Sequence, residues 1–328
     1  MSDIRARWQE FKASPRYFDK KSRALNRTKN TLLGIFRLII IIGISYVILA
    51  PVIGIISNSF FSRSDSINPM VFTIPINPTT ERYTMALKYM DYWPILGRTL
   101  LYVAGTTMIQ VLICSMVGYG FARFSFPGKK MLFAFVVVMI VVPAHAIVFP
   151  LYMTFRYFNP LGLVGLFNGG KSLNLMQTFW PTVILSAFGC GLRSGLYIYI
   201  FNQFFRGLPK EIEEAALVDG AGTWYTYFRI MMPNATPAVI TVAVFSIVWQ
   251  YNDALFSNTF NIPATILITR KLSSLRDIIA NAEKILTQSE LQLYFNAGVV
   301  LVIIPVVLIY LLLQRKFIEG VERSGIVG

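Results

Sequence analysis

Six stretches of roughly 20 mostly apolar residues punctuate this chain, at about 31–56, 99–121, 131–151, 181–201, 237–255 and 295–313. Each is long enough as a helix to cross the hydrocarbon core of a bilayer. The first and last are the most uniformly apolar; the fifth carries Gln250, Asn252 and Asp253 in its second half. The stretches between them are polar and rich in Gly and Pro, which places the breaks. The pattern predicts an all-α integral membrane protein of six transmembrane helices. The first stretch exceeds a signal-peptide core and has no small-residue cleavage site behind it, so it is expected to be retained.

Composition narrows the class. Across 328 residues, 55% are hydrophobic and 14% charged, and mean hydropathy is +0.57. A water-soluble enzyme, a disordered chain and a disulfide scaffold are all excluded. The net charge of +14 would point to nucleic acid in a soluble domain, but here the cations are not gathered on one amphipathic face, and no nucleic-acid partner is expected. They distribute by loop instead. With the N-terminus inside, segments 1–30, 122–130, 203–233 and 315–328 hold eighteen Lys and Arg, against nine in 57–94, 153–180 and 259–292. This bias places both termini in the cytoplasm. Cys114 and Cys190 sit in apolar runs as small hydrophobes, and a single His excludes a His-rich metal site.

The chain therefore divides into a basic cytoplasmic N-terminal arm (1–30), a first transmembrane helix (31–56), an extracytoplasmic loop (57–94), a core domain (95–315) with five more spans and a cytoplasmic loop at 206–233, and a cytoplasmic tail (316–328). The arm reads as a solvated topology signal or as a contact with anionic lipid.

The loop at 206–233 is unlike its surroundings. Glu211, Glu213, Glu214 and Asp219 stand among Arg206, Lys210 and Arg229 on the side that the topology makes basic. Pro209 suits the start of a short helix, the glutamates its positive N-terminal end, and Gly220 a left-handed stop. Ile212, Ala215 and Ala216 form a narrow apolar face, and a second helix is expected from Thr223 to Pro233 with Trp224, Tyr225, Tyr227 and Phe228 on it. Two short helices with small residues suit close contact with another surface, or form a solvated connector.

Glu214-Ala215-Ala216, three residues, Gly220, nine residues, Ile230, one residue, Met232 and Pro233 resemble the EAA loop of permease subunits of binding-protein-dependent ABC importers, E-A-A-x3-G-x9-I-x-L-P. Only Met232 departs, a volume-conserving change for Leu. The resemblance extends from about Tyr92 to the C-terminus. Pro150-Leu-Tyr152, the run Asn159 to Leu163, Trp249-x-x-Asn252-Asp253 and Phe317-Ile-Glu-Gly320 favour the maltose/multiple-sugar branch and its six-span subunit.

The resemblance implies a type I ABC importer permease fold, a bacterial cytoplasmic membrane, and a transport subunit that is not itself an enzyme. It implies a heterodimer with a second permease subunit, a dimer of separate ATPase subunits, an extracytoplasmic solute-binding protein, and a sugar or oligosaccharide as cargo. ATP and Mg would be handled by the partners, with no cofactor bound here. Glu213, Glu214, Ala215, Ala216, Asp219, Gly220, Ile230 and Pro233 would form the lever seated in the ATPase, with Glu214 as the acid at the contact. The tail after Arg315 would also reach the ATPases.

One motif works against this reading. Gly165-x4-Gly170-Lys171-Ser172 satisfies the P-loop expression, but that motif functions between a buried strand and a helix. Here it falls in an outward loop, and its glycines are expected to make a turn.

Polar groups within spans are costly and often functional. Arg37 can snorkel to the interface. His145, between Pro143 and Pro150, serves either freed carbonyls or a solute path. Arg193, within Gly189-Cys-Gly191-Leu-Arg-Ser-Gly195, lines a cavity or is structurally paired. Asp253, with Trp249, Tyr251 and Asn252, falls near the outer mouth of the fifth span. With Tyr197 these residue types suit sugar passage, or, for the aromatics, anchoring at the interface. The rival is an ion-coupled secondary transporter, which would need matched repeats and a midplane coupling site; Asp253 is the sole acid available within the spans.

Overall fold

The computed structural model describes residues 15–283 and 287–325, with side chains described over 27–283 and 287–314. Most of the basic arm's cations and the tail motif at 317–320 therefore lie outside the described side chains. The main helices are α1 (Pro15–Ser59), α2 (Glu81–Met90), α3 (Tyr92–Arg123), α4 (Lys129–Val141), α5 (Val148–Arg156), α6 (Trp180–Ala187), α7 (Ser194–Gly207), α8 (Glu211–Val218), α9 (Thr236–Tyr251), α10 (Leu255–Thr259), α11 (Ile268–Ser273), α12 (Leu275–Ala282) and α13 (Gln288–Gly325). An isolated antiparallel bridge joins Phe158 and Leu173, the one bridge among the described residues.

Among the described residues, three helices are individually long and apolar enough to span: Arg27–Ser59 within α1, all of α3, and Gln288–Gln314 within α13. Two further stretches qualify only as bent pairs, α4 with Ala144–Arg156 at 104° and Thr223–Asn234 with α9 at 77°. The expectation of single helices at 131–151 and 181–201 is thus corrected. In the first, Pro143 pushes Val142 into extended backbone and ends α4. In the second, α6 stops at Ala187 and α7 starts at Ser194. Gly189 (φ +68°) and Arg193 (φ +60°) occupy left-handed backbone between them. The stretch at 237–255 also ends early, at Tyr251, with α10 following separately.

The bundle is built around α3, which packs on α6, α7 and α9, while α13 packs on α1, α2 and α9. The closest approach is at Gly118, where a Cβ would stand 2.6 Å from Phe201 Cβ and 3.0 Å from the Asn202 nitrogen. Lipid offers no hydrophobic drive between helices, so such small-residue contact supplies the packing. Gly118→Ala is expected to cost about 1–3 kcal/mol by overpacking, read as a lower unfolding temperature of the detergent-solubilised protein.

The two ends of α3 carry different structures. Around its N-terminal end, the Ser59 and Tyr83 hydroxyls meet at 2.6 Å, Arg63 pairs with Glu290 at 2.8 Å, the Thr99 hydroxyl donates to Ile266 O, and Gln177 N–H donates to Phe260 O. At its C-terminal end sits the 206–234 segment, where Arg123 Nη2 donates to Leu208 O at 2.8 Å. A helix of 32 residues is about 48 Å long, more than the hydrocarbon core requires. The segments expected outside and the loop expected inside therefore lie at opposite ends of one rod.

Candidate functional site: a pinned lever and a cavity at broken helices

At the C-terminal end of α3, Lys210 O accepts from Glu213 N–H (2.9 Å) and Glu214 N–H (3.0 Å) to start α8. At its other end, Gly220 is left-handed (φ +81°), Ala221 N–H donates to Ala216 O and Gly220 N–H to Leu217 O. This is the Schellman closure that a glycine permits. The expected second helix is present from Thr223 to Asn234, with a π-helical stretch over Thr226–Met231.

Each helix has a held face and a free face. Ala216 is buried and Ile212 half-buried, whereas Ala215, expected with them, is exposed. In the second helix Tyr227 and Met231, four apart, are buried. The Tyr227 hydroxyl meets Ser115 Oγ of α3 at 2.6 Å, and its ring lies 5.1 Å from Tyr119. Ile230 is half-buried and Pro233 exposed. The two glutamates separate. Glu213 turns inward to Arg123, Nε to Oε2 at 3.1 Å, with side chains 15% and 7% exposed. This is an ion pair without hydrogen-bond alignment, and Glu213 Oε1 has no hydrogen-bond partner among the described residues. Glu214 faces out with Glu211 and Asp219. Beside them Leu217 (59%), Val218 (87%), Trp224 (64%) and Tyr225 (59%) are exposed, and Trp224 stacks on Phe228. Sequence reasoning missed Arg123, Leu217 and Val218. Leu217 and Val218 had a signal, because two large apolar residues beside Ala216 exceed what one short buried face can hold.

The second site is a cavity of about 700 Å³, lined where the bend at Pro143, the break at 188–193 and the end of α9 converge. Five of the seven residues selected for a solute path line it: His145, Arg193, Trp249, Asn252 and Asp253. The Arg193 guanidinium lies over the Trp249 ring at 4.4 Å, so an aromatic face, rather than an acid, meets this cation. Asp253 is 9% exposed, and its carboxylate accepts from Phe256 N–H (3.2 Å) and Ser257 N–H (3.0 Å), capping α10. Asn252 donates its amide to Val248 O. Tyr197 and Tyr251 are buried elsewhere: Tyr251 donates its hydroxyl to Val302 O, and Tyr197 is fully enclosed in the cluster around Phe201 and Phe205.

The break that carries Arg193 is held from behind. Gln110 Nε2 donates to Leu192 O (2.9 Å) and Ser194 Oγ, while Gln110 Oε1 accepts from Ser246 Oγ (2.6 Å) and Gln250 Nε2. Gly191 gives these groups room, since a Cβ there would meet Gln110 Nε2 and Ser186 Oγ at 2.8 Å. Among buried groups such a network fixes one arrangement of three elements. Gln110 carried no sequence signal beyond being polar in a span.

The P-loop look-alike begins inside a short helix, Leu163–Phe167, with no strand before it among the described residues. Gly169 and Gly170 are both left-handed (φ +60° and +79°), making the turn expected of them.

A bundle of membrane-length helices, a cavity at discontinuous helices and a braced short-helix loop with an exposed, partly apolar face are the features of a membrane transport subunit. The chain belongs to the family of binding-protein-dependent transport system inner membrane components, which it matches over residues 110–322. It is similar to a probable ABC transporter permease of Pyrococcus horikoshii, 28% identical over 85% of this chain and 92% of that protein. It is also similar to the permease of a diacetylchitobiose uptake system of Streptomyces coelicolor, 24% identical over 85% and 84%, and to that of a trehalose transport system of Mycobacterium tuberculosis, 28% identical over 68% and 73%. In fold it resembles a chain of a bacterial ABC transporter involved in the import of the acidic polysaccharide alginate. There the TM-score is 0.69 at 20% identity, covering 88% of this chain and 98% of that one.

Proposed function

We propose that this chain is one of two permease subunits of an ATP-driven importer, moving a sugar or oligosaccharide delivered by an external binding protein across the cytoplasmic membrane of a bacterium. The single observation that carries the reading is α8. Its Ala216 face is buried within the chain and packs toward the Thr226–Met231 stretch, with Glu213 paired to Arg123 at the end of α3, while Glu214, Leu217 and Val218 are exposed. A short helix built this way is a lever awaiting a seat on an ATPase dimer. Six spans serve the proposal, with 180–207 as a broken fourth, both termini in the cytoplasm and 206–233 facing the motor. Glu213, Ala215, Ala216, Asp219, Gly220, Ile230 and Pro233 shape or brace the lever. The sugar permeases among the relatives support a carbohydrate cargo, as do the cavity's Trp249 ring and Arg193 donors.

The test is transport by the assembled importer in vesicles, with cargo found by screening sugars on the cognate binding protein. Uptake should require ATP on the lever side; uptake driven by a proton gradient with ATP removed would favour an ion-coupled transporter. In the same assay Trp249→Ala should reduce uptake by about tenfold, the scale of losing one stacked contact of about 1–1.5 kcal/mol, while Trp249→Phe, which keeps a ring under Arg193, should retain most of it. Lys171→Ala should leave nucleotide binding and uptake unchanged, because ATP is bound by the partner subunits. Loss of nucleotide binding in that variant would restore the P-loop reading.

A further inference from the structure

Residues 66–80, which follow α1 after a short connection that carries Arg63 and Asp65, contain no charged side chain. Met70, Phe72 and Ile74 are 80% exposed or more, and Ile67 and Ile76 are nearly as open. Large apolar side chains projecting this far from a short stretch mark a contact surface. The segment is also held at a defined height. Ser57 Oγ, in the last turn of α1, donates to Thr73 O, and Thr79 N–H donates to Phe60 O at 2.8 Å. Asn77 N–H donates to the buried carboxylate of Asp65 at 3.0 Å. The Asn68 side chain accepts from Met70 N–H within the segment, and Pro69, Pro75 and Pro78 remove three further backbone donors.

We propose that 67–76 is an interfacial anchor, with Met70, Phe72 and Ile74 inserted at the headgroup–acyl boundary of the outer leaflet. The occupant follows from continuity. The segment is tied to the last turn of a span, so its side chains sit at the depth where hydrocarbon meets headgroups. The most apolar window of that span has none of its residues buried within the chain. An uncharged apolar segment at that depth partitions into the interface. The anchor fixes the height of the outer end of α1. It rests on α1 being a span, independently of the cargo.

The experiment uses the full assembled importer, reconstituted in phosphatidylethanolamine–phosphatidylglycerol vesicles doped with a doxyl-labelled phosphatidylcholine. A fluorophore is placed at Phe72→Cys or Ile74→Cys in a Cys190→Ser background, where the remaining Cys114 is fully buried. Exposed Ser64→Cys serves as reference. Labels at 72 and 74 are expected to be quenched several-fold more by doxyl lipid, and several-fold less by aqueous iodide, than the label at 64. Since the two positions are read separately, failure of one variant to fold leaves the other. Iodide quenching equal to that at 64 would overturn the proposal. So would protection from both quenchers, which would mean a protein subunit covers the segment, or shielding that arises only when the binding protein is added.

Discussion

Glu214→Arg is expected to insert and fold like the native chain while losing co-purification with the ATPase subunits and most of its uptake. Glu214 is exposed and makes no ion pair among the described residues, so its replacement removes nothing internal. It stands among Ala215, Leu217 and Val218 on the free face of α8, where a seated partner would be desolvated. A like-charge juxtaposition at such a contact costs several kcal/mol, and each ~1.4 kcal/mol is tenfold in occupancy. Uptake should therefore fall by about a hundredfold or more, and Glu214→Gln, which only removes the charge, should lose much less. Normal co-purification together with normal uptake in the arginine variant would show that α8 does not dock through this face.

Arg123→Met attacks the same device from inside. Arg123 ends α3, and its guanidinium holds both Glu213 of α8 and the carbonyl of Leu208. Removing it leaves the enclosed Glu213 carboxylate uncompensated, at a cost on the order of 3 kcal/mol, read as a lower unfolding temperature. Replacing both partners, Arg123→Met with Glu213→Met, removes the stranded charge and should recover most of that stability, since apolar substitutes for a buried pair are often neutral. Coupling should not recover, because the lever would no longer be tied to α3. The ratio of ATP hydrolysed to solute moved should rise in both variants. A double variant that is stable and fully coupled would reduce the pair to a fold staple.

Hydropathy alone revealed the membrane class, and the residues from Pro209 to Gly220 marked the short helix α8, because a glycine-closed short helix leaves a local signature. The breaks were legible only in part. Pro143 and the glycines at 189 and 191 announced weak points, but a window of apolar residues cannot distinguish a straight rod from one bent by 104°. Long-range partners left no trace. Nothing local ties Arg123 to Glu213, or Gln110 to the carbonyl of Leu192, since each pair is joined only by packing. Asp253 has a local role that the apolar pattern did not show: it lines the cavity, and its oxygens also accept from the first turn of α10. Tyr197 and Tyr251 were chosen by residue type, and their helices turn them away from the cavity.

Helix α7 begins directly after Arg193, in the wall of the cavity, and ends at Gly207, a few residues before α8. Its 14 residues make a strut of about 21 Å, backed along α3 by the close contact at Gly118. The cavity and α8 are thus at opposite ends of one stiff member. If, as proposed, α8 seats on an ATPase and cargo in the cavity favours one tilt of that strut, thermodynamic reciprocity requires the nucleotide state of the ATPase to alter cargo affinity by the same factor. Release on the inner side would then be weakened binding dictated from below.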